Sequence, residues 1–182
     1  MREMMSMVCM LFMFGCSSSI KNQVTLGKPF PEVRGKSLYG DEVTIPQKVS
    51  DFQIILIGYK QKSQFDIDRW LIGLEMTGVK VLVNELPVLS SWFPDFLQKR
   101  IDRGMKSGIP KNLWKNVMTV YDDAEIIKKF LGTENPNNAR VVLLDPSQRV
   151  IAHYDNGFSS KSLAKILALL PREKSIDKCE LF

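Results

Sequence analysis

Cysteine and histidine are scarce in this 182-residue sequence, which holds 3 cysteines and 1 histidine. Cys9 and Cys16 sit in an apolar leader and Cys179 in a charged tail, so no internal disulfide is expected in the mature chain. His153 lies on a predicted strand with Ile151 and Asp155 at alternate positions, which reads as a half-exposed strand residue. With this one histidine, on a predicted strand, the inventory excludes a triad and a histidine-rich metal centre. Nor is there a Cys-x-x-Cys motif, or a phosphate loop, since Gly104-x-x-x-Gly108 lacks the following Lys-Ser/Thr. No metal or cofactor is expected. The apolar stretch 4–14 is too short to cross a bilayer core of about 30 Å as a helix.

The organising segment is 52–78. A continuous apolar run, 54–57, ends at Gly58 and reads as a buried parallel strand. After a polar loop, Ile67, Trp70, Leu71 and Leu74 recur at helical spacing, while Asp66, Asp68, Arg69 and Glu75 fall elsewhere. Ser63 with Asp66 three residues on has the form of a capping box, so the helix is expected to start at Ser63. Outward-pointing first-turn amides favour an anion or a nucleophile there. The residues present, Lys62, Ser63, Gln64, Phe65 and Asp66, include no thiol and no acid–base pair. The pairs Asp66/Asp68 and Asp122/Asp123 read as helix-start residues rather than catalytic carboxylates.

From the beginning, the chain divides into a signal segment 1–15, a linker 16–31 expected to hold the domain off a membrane, a domain 32–171 and a charged tail 172–182. Arg2, the apolar core 4–14 and Gly15 are the parts of an export signal. Gly15-Cys16-Ser-Ser-Ser resembles the lipobox of bacterial lipoproteins, with Met13 and Phe14 where Leu and a small residue are usual. The resemblance implies a signal cut before Cys16, a lipid (palmitate) on Cys16, and a membrane-anchored protein of the cell envelope facing the periplasm. Ser17 implies the outer membrane if the source is Gram-negative.

The later elements are a hairpin turning at Gly40-Asp41, a strand 79–83, a helix 90–101 with Pro94 in its first turn, a strand 116–121, a helix 124–131 stopped by Gly132, strands 139–144 and 150–154 around the turn Asp145-Pro-Ser-Gln, and a helix 160–170. Their sum is an α/β fold: a mixed sheet with helices on both faces.

The opening Gly27-Lys-Pro-Phe-Pro31 and this order resemble the membrane-anchored branch of the thioredoxin-like superfamily, with one strand-and-helix unit inserted before the final hairpin. Its redox members carry Trp-Cys-x-x-Cys after the central strand, matching 62–66 here, and a cis-proline near 138–139. Neither is present in this chain. The stretch 101–110, with Arg103, Gly104, Met105, Lys106, Gly108, Ile109 and Pro110, followed by Trp114, resembles the mitochondrial ATP synthase assembly factor and its bacterial relatives. That implies a binding loop for a protein partner at a membrane.

Net charge is +5, and Arg100, Arg103, Lys106, Lys111, Lys60 and Lys62 are candidates for one basic edge facing anionic lipid or an acidic partner. No nucleic-acid recognition motif occurs. The functional reading is a non-catalytic thioredoxin-like envelope lipoprotein acting as a protein-binding or assembly factor. The alternative is a thiol or peroxide oxidoreductase using Cys179.

Overall fold

The computed structural model describes residues 19–90 and 92–171. The expected signal segment, Cys16, the tail and Cys179 lie outside them, so the described residues contain no cysteine.

Strands β1 (Val33–Ser37) and β2 (Glu42–Ile45) form the expected hairpin, and β3 (Gln53–Gly58) is the central strand, buried at every position. Helix α1 (Gln64–Met76) and strand β4 (Leu82–Pro87) follow, then α2 (Asp95–Gly108), β5 (Met118–Thr119), α3 (Ala124–Leu131), β6 (Arg140–Leu144), β7 (Val150–Tyr154) and α4 (Ser160–Leu167). One sheet has the order β4-β3-β6-β7, with β3 and β4 parallel and the other neighbours antiparallel. The second, β2-β1-β5, continues it through single bridges from Val117 to Glu85 and from Val120 to Val88.

Two cores flank this sheet. Ile54, Leu56, Val141 and Leu143 meet Ile67, Trp70 and Leu74 of α1 and Leu163 and Ile166 of α4. Ile55, Ile57, Leu86, Val142 and Leu144 meet Ile127 and Leu131 of α3, with Val33 and Ile45. Strand alternation divides β3 between the two faces, which is why its whole run is apolar. The mixed sheet with helices on both faces is as the sequence predicts.

Four details differ. The strand expected at 79–83 pairs instead as β4, from Leu82 beside Gln53 to Pro87 beside Gly58. Its polar centre, Asn84-Glu85, is carried inside because the neighbouring strand fixes the register. The stretch expected as a loop around 103–110 is mostly helix, for α2 runs on through Gly104 to Gly108. An exposed helix absorbs each glycine at a cost of about 1 kcal/mol. The capping box is not at Ser63, which makes no side-chain cap, but at Ser159 and Ser162 of α4. A 3-10 turn, Gln61–Ser63, already holds Ser63 in helical geometry, whereas Ser159 is extended and free to cap.

The fourth concerns the expected spacer. Ile20 N–H donates to Thr133 Oγ1 at 2.7 Å and Thr133 N–H donates to Ile20 O at 2.7 Å. Gly27 N–H donates to Val150 O, and Phe30 N–H to Gln148 O. Residues 20–30 therefore lie as a strap along β7. A side chain at Gly132 would meet that strap backbone, with a Cβ only 2.5 Å from the Asn22 Cα.

Candidate functional site

The site is built where β3 ends. Gly58 leaves the strand beside Ser63, and a Cβ there would lie 2.6 Å from the Ser63 Oγ. That close approach brings the α1 terminus onto the strand. The Ser63 hydroxyl donates to Lys60 O at 2.6 Å, with no base beside it, so it is a backbone tie rather than a nucleophile.

Between this helix start and α2 runs a cleft of about 710 Å³. Gly58, Lys60, Gln61, Ser63, Gln64, Ile67 and Asp68 form one wall, Pro87 and Leu89 the β4 end, and Ile101, Gly104, Met105, Gly108 and Ile109 the α2 wall. Two stretches singled out separately in the sequence thus line one cavity. Not every predicted residue takes part. Lys62 and Phe65 are exposed without lining the cleft, Arg103 points to solvent, Lys106 Nζ lies 5.5 Å from the Trp114 ring centroid, and Pro110 precedes the 3-10 turn Lys111–Asn116.

Asp66 is buried, and its role differs from the expected one. Ala139 N–H donates to Asp66 Oδ2 at 2.9 Å and Phe158 N–H donates to Asp66 Oδ1 at 2.6 Å. The carboxylate ties α1 to the start of β6 and to the loop after β7, instead of reaching back to its own helix. The Asn138–Ala139 peptide is trans, since among the described residues the cis bond is Ile45–Pro46. A proline at position 139 would have no N–H to give Asp66.

Sequence reasoning missed the buried polar residues of β4. Glu85 is buried with its Oε1 unpartnered. Burial pushes its carboxyl up to about 7, the Gln64 side chain hydrogen-bonded to it pulls the other way, and Asp68 adds to the rise. Asn84, on the opposite face of β4, is buried with both amide atoms unpartnered. The signal was an amide and a carboxylate directly after the stretch 79–83, hidden by reading that stretch as the strand.

A second polar group closes the same end of the sheet. Arg140 is fully buried, its Cζ 4.5 Å from the Tyr59 ring centroid and its Nη2 3.9 Å from Asp155 Oδ2. Nη2 also donates to Asn22 Oδ1 at 3.4 Å and to Glu134 O at 3.3 Å, while the Asn22 amide donates to Asp155. Burial lowers the guanidinium from its usual value, against which Tyr59, Asp155 and Glu134 act. His153 is held towards its neutral form by burial, with Thr25 Oγ1 3.4 Å from its Nδ1. Asp123 serves β1, accepting from Arg34 N–H at 2.8 Å.

The cleft offers Lys60, the Gln61 and Gln64 side-chain amides, Asp68 and apolar walls. With no cysteine or histidine among the described residues that line it, it has the parts of a binding site.

No protein-family profile and no curated protein sequence matches this chain. Solved structures do. The peroxiredoxin-like protein from Aquifex aeolicus is 14% identical, with 84% of this chain and 92% of that one covered at a TM-score of 0.52. The exposed lipoprotein thioredoxin Etrx1 of Streptococcus pneumoniae is 9% identical, covering 76% and 100% at 0.54. Yeast Sco1 is 13% identical, covering 82% and 97% at 0.54. At such identities the likeness is one of fold, and the fold of this protein is thioredoxin-like.

Proposed function

We propose that this protein is a membrane-anchored, thioredoxin-like binding or assembly factor that holds a protein partner in the cleft between α1 and α2. The observation that carries the reading is the convergence of the thiol-free helix start and the α2 stretch on one cavity of about 710 Å³. Ser63 is tied to the backbone and Asp66 is committed to two amides, so the position of the redox motif serves structure and leaves a recognition surface above it. The apolar α2 wall, with Ile101 and Met105, suits the side chains of a peptide segment, and the rim amides suit its backbone. The lipobox-like Gly15-Cys16 supports an envelope-membrane setting for this work.

Gly104 separates binding from folding, because it lines the cleft and a Cβ there meets nothing within 4 Å. A photoreactive residue at Gln61 or Met105 in intact envelopes is expected to capture one stoichiometric partner, and Gly104→Trp to abolish capture while leaving the thermal unfolding midpoint nearly unchanged. Capture that survives Gly104→Trp overturns the reading.

A further inference from the structure

The chain enters the domain at the same end of the sheet as the cleft. Residues 20–30 run down the domain from Asn22, hydrogen-bonded to Asp155, to Gly27, hydrogen-bonded to Val150 at the start of β7, so the described chain begins at the Asp155 end. That is also where β3 and β4 finish, since Arg140 at the start of β6 pairs with Ile57, and Gly58 pairs with Pro87. One guanidinium spans the short distance between the two features, touching Asn22 on one side and the Tyr59 ring on the other.

Only four residue steps separate Cys16 from Ile20, which is fixed to Thr133. Fully extended, they reach about 14 Å. An anchor at Cys16 therefore holds this end of the domain close to the bilayer.

The side chains at that end match a lipid boundary. Phe65, in the first turn of α1, is 71% exposed, Trp92 after β4 is 77% exposed, and Phe96 in the first turn of α2 is 73% exposed. Exposed Lys60 and Lys62 lie on the loop beside Phe65, and Lys99 and Arg100, one turn after Asp95, outweigh its charge. Aromatic rings with neighbouring cations are the chemistry of an interface between acyl chains and anionic headgroups.

We propose that the cleft end of the sheet lies on the membrane surface, with Phe65, Trp92 and Phe96 at the lipid boundary and the flanking lysines against anionic headgroups. The cleft then opens toward segments that emerge from the bilayer, which narrows the partner to a membrane protein. This orientation rests on the anchored reading above.

The test uses the full chain, purified from membranes and reconstituted into phosphatidylcholine/phosphatidylglycerol vesicles with brominated acyl chains. Bromine is expected to quench tryptophan fluorescence in the unmodified chain, Trp92→Phe to lose most of that quenching, and Trp114→Phe to retain it; Trp70 is buried in the core. If the chain floats with the vesicles yet Trp92→Phe is quenched as strongly as the unmodified chain, the orientation is overturned and the anchor stands. A chain that does not float overturns the anchored reading and the orientation with it.

Discussion

The two walls of the cleft are both helices, but they are held in opposite ways. α1 buries Asp66, Ile67, Trp70, Gly73 and Leu74, and Gly73 lets α4 approach so closely that a Cβ would lie 2.9 Å from the Phe158 ring and 3.0 Å from Leu163. α2 buries none of its described residues. It is held through partly covered Ile101 and Met105 and through Tyr121 OH, which donates to Asp102 Oδ1 at 2.9 Å. One wall is set by the core and the other by contacts at the rim. Local opening costs least where buried apolar contact is least, so α2 is the wall that moves more readily.

The sharpest way to break the contrast is to loosen the firm wall. Asp66→Ala strips the Ala139 and Phe158 amides of their acceptor in a buried place. A loss of about 2–4 kcal/mol in denaturant unfolding is expected, following the usual penalty for unpaired buried donors. A loss below about 0.5 kcal/mol would place Asp66 among ordinary surface carboxylates.

Glu85, beneath the cleft, gives the next effect, and its sign is opposite to that of a salt-bridged acid. Its carboxyl rises from 4.5 to about 7 on folding because burial disfavours the charge. Folding takes up a proton between those values, so the contribution is full below pH 4.5 and is lost as pH rises to about 7. The loss is roughly 3 kcal/mol, and Glu85→Gln should flatten that part of the pH–stability curve. Parallel curves for the two proteins would show that the side chain is solvated.

The smallest change sharpens the comparison from the weak side. Tyr121→Phe removes the tie to Asp102 and is expected to cost about 1 kcal/mol. Hydrogen exchange should quicken across α2 while the β3 and β6 amides stay protected; uniform acceleration of both would mean that α2 opens only with the whole domain.

These contrasts bear on how far the fold could be read in advance. β3, α1, α3 and the β6–β7 hairpin were legible because their apolar residues follow one period and their ends carry a glycine or a turn, as at Gly58, Gly132 and Asp145-Pro146. β4 and α2 were misplaced for a shared reason. Asn84 and Glu85 look like loop residues until two neighbouring strands enclose them, and Gly104 and Gly108 look like loop residues until a helix runs through them. The candidate site was half legible: its two stretches stood out in the sequence, but their meeting did not, because it depends on where the tertiary fold carries α2 relative to α1.

By itself, then, the sequence determined the thioredoxin-like order of elements and the lack of a cysteine directly after the central strand, since periodicity and residue inventory are local properties. Only tertiary structure decided what Asp66 does. Its partners are 73 and 92 residues away, and one of them is the Ala139 N–H that a proline would remove. Asp66 and the Ala139 N–H are two ends of one hydrogen bond, a relation that exists only once β6 has been brought against α1.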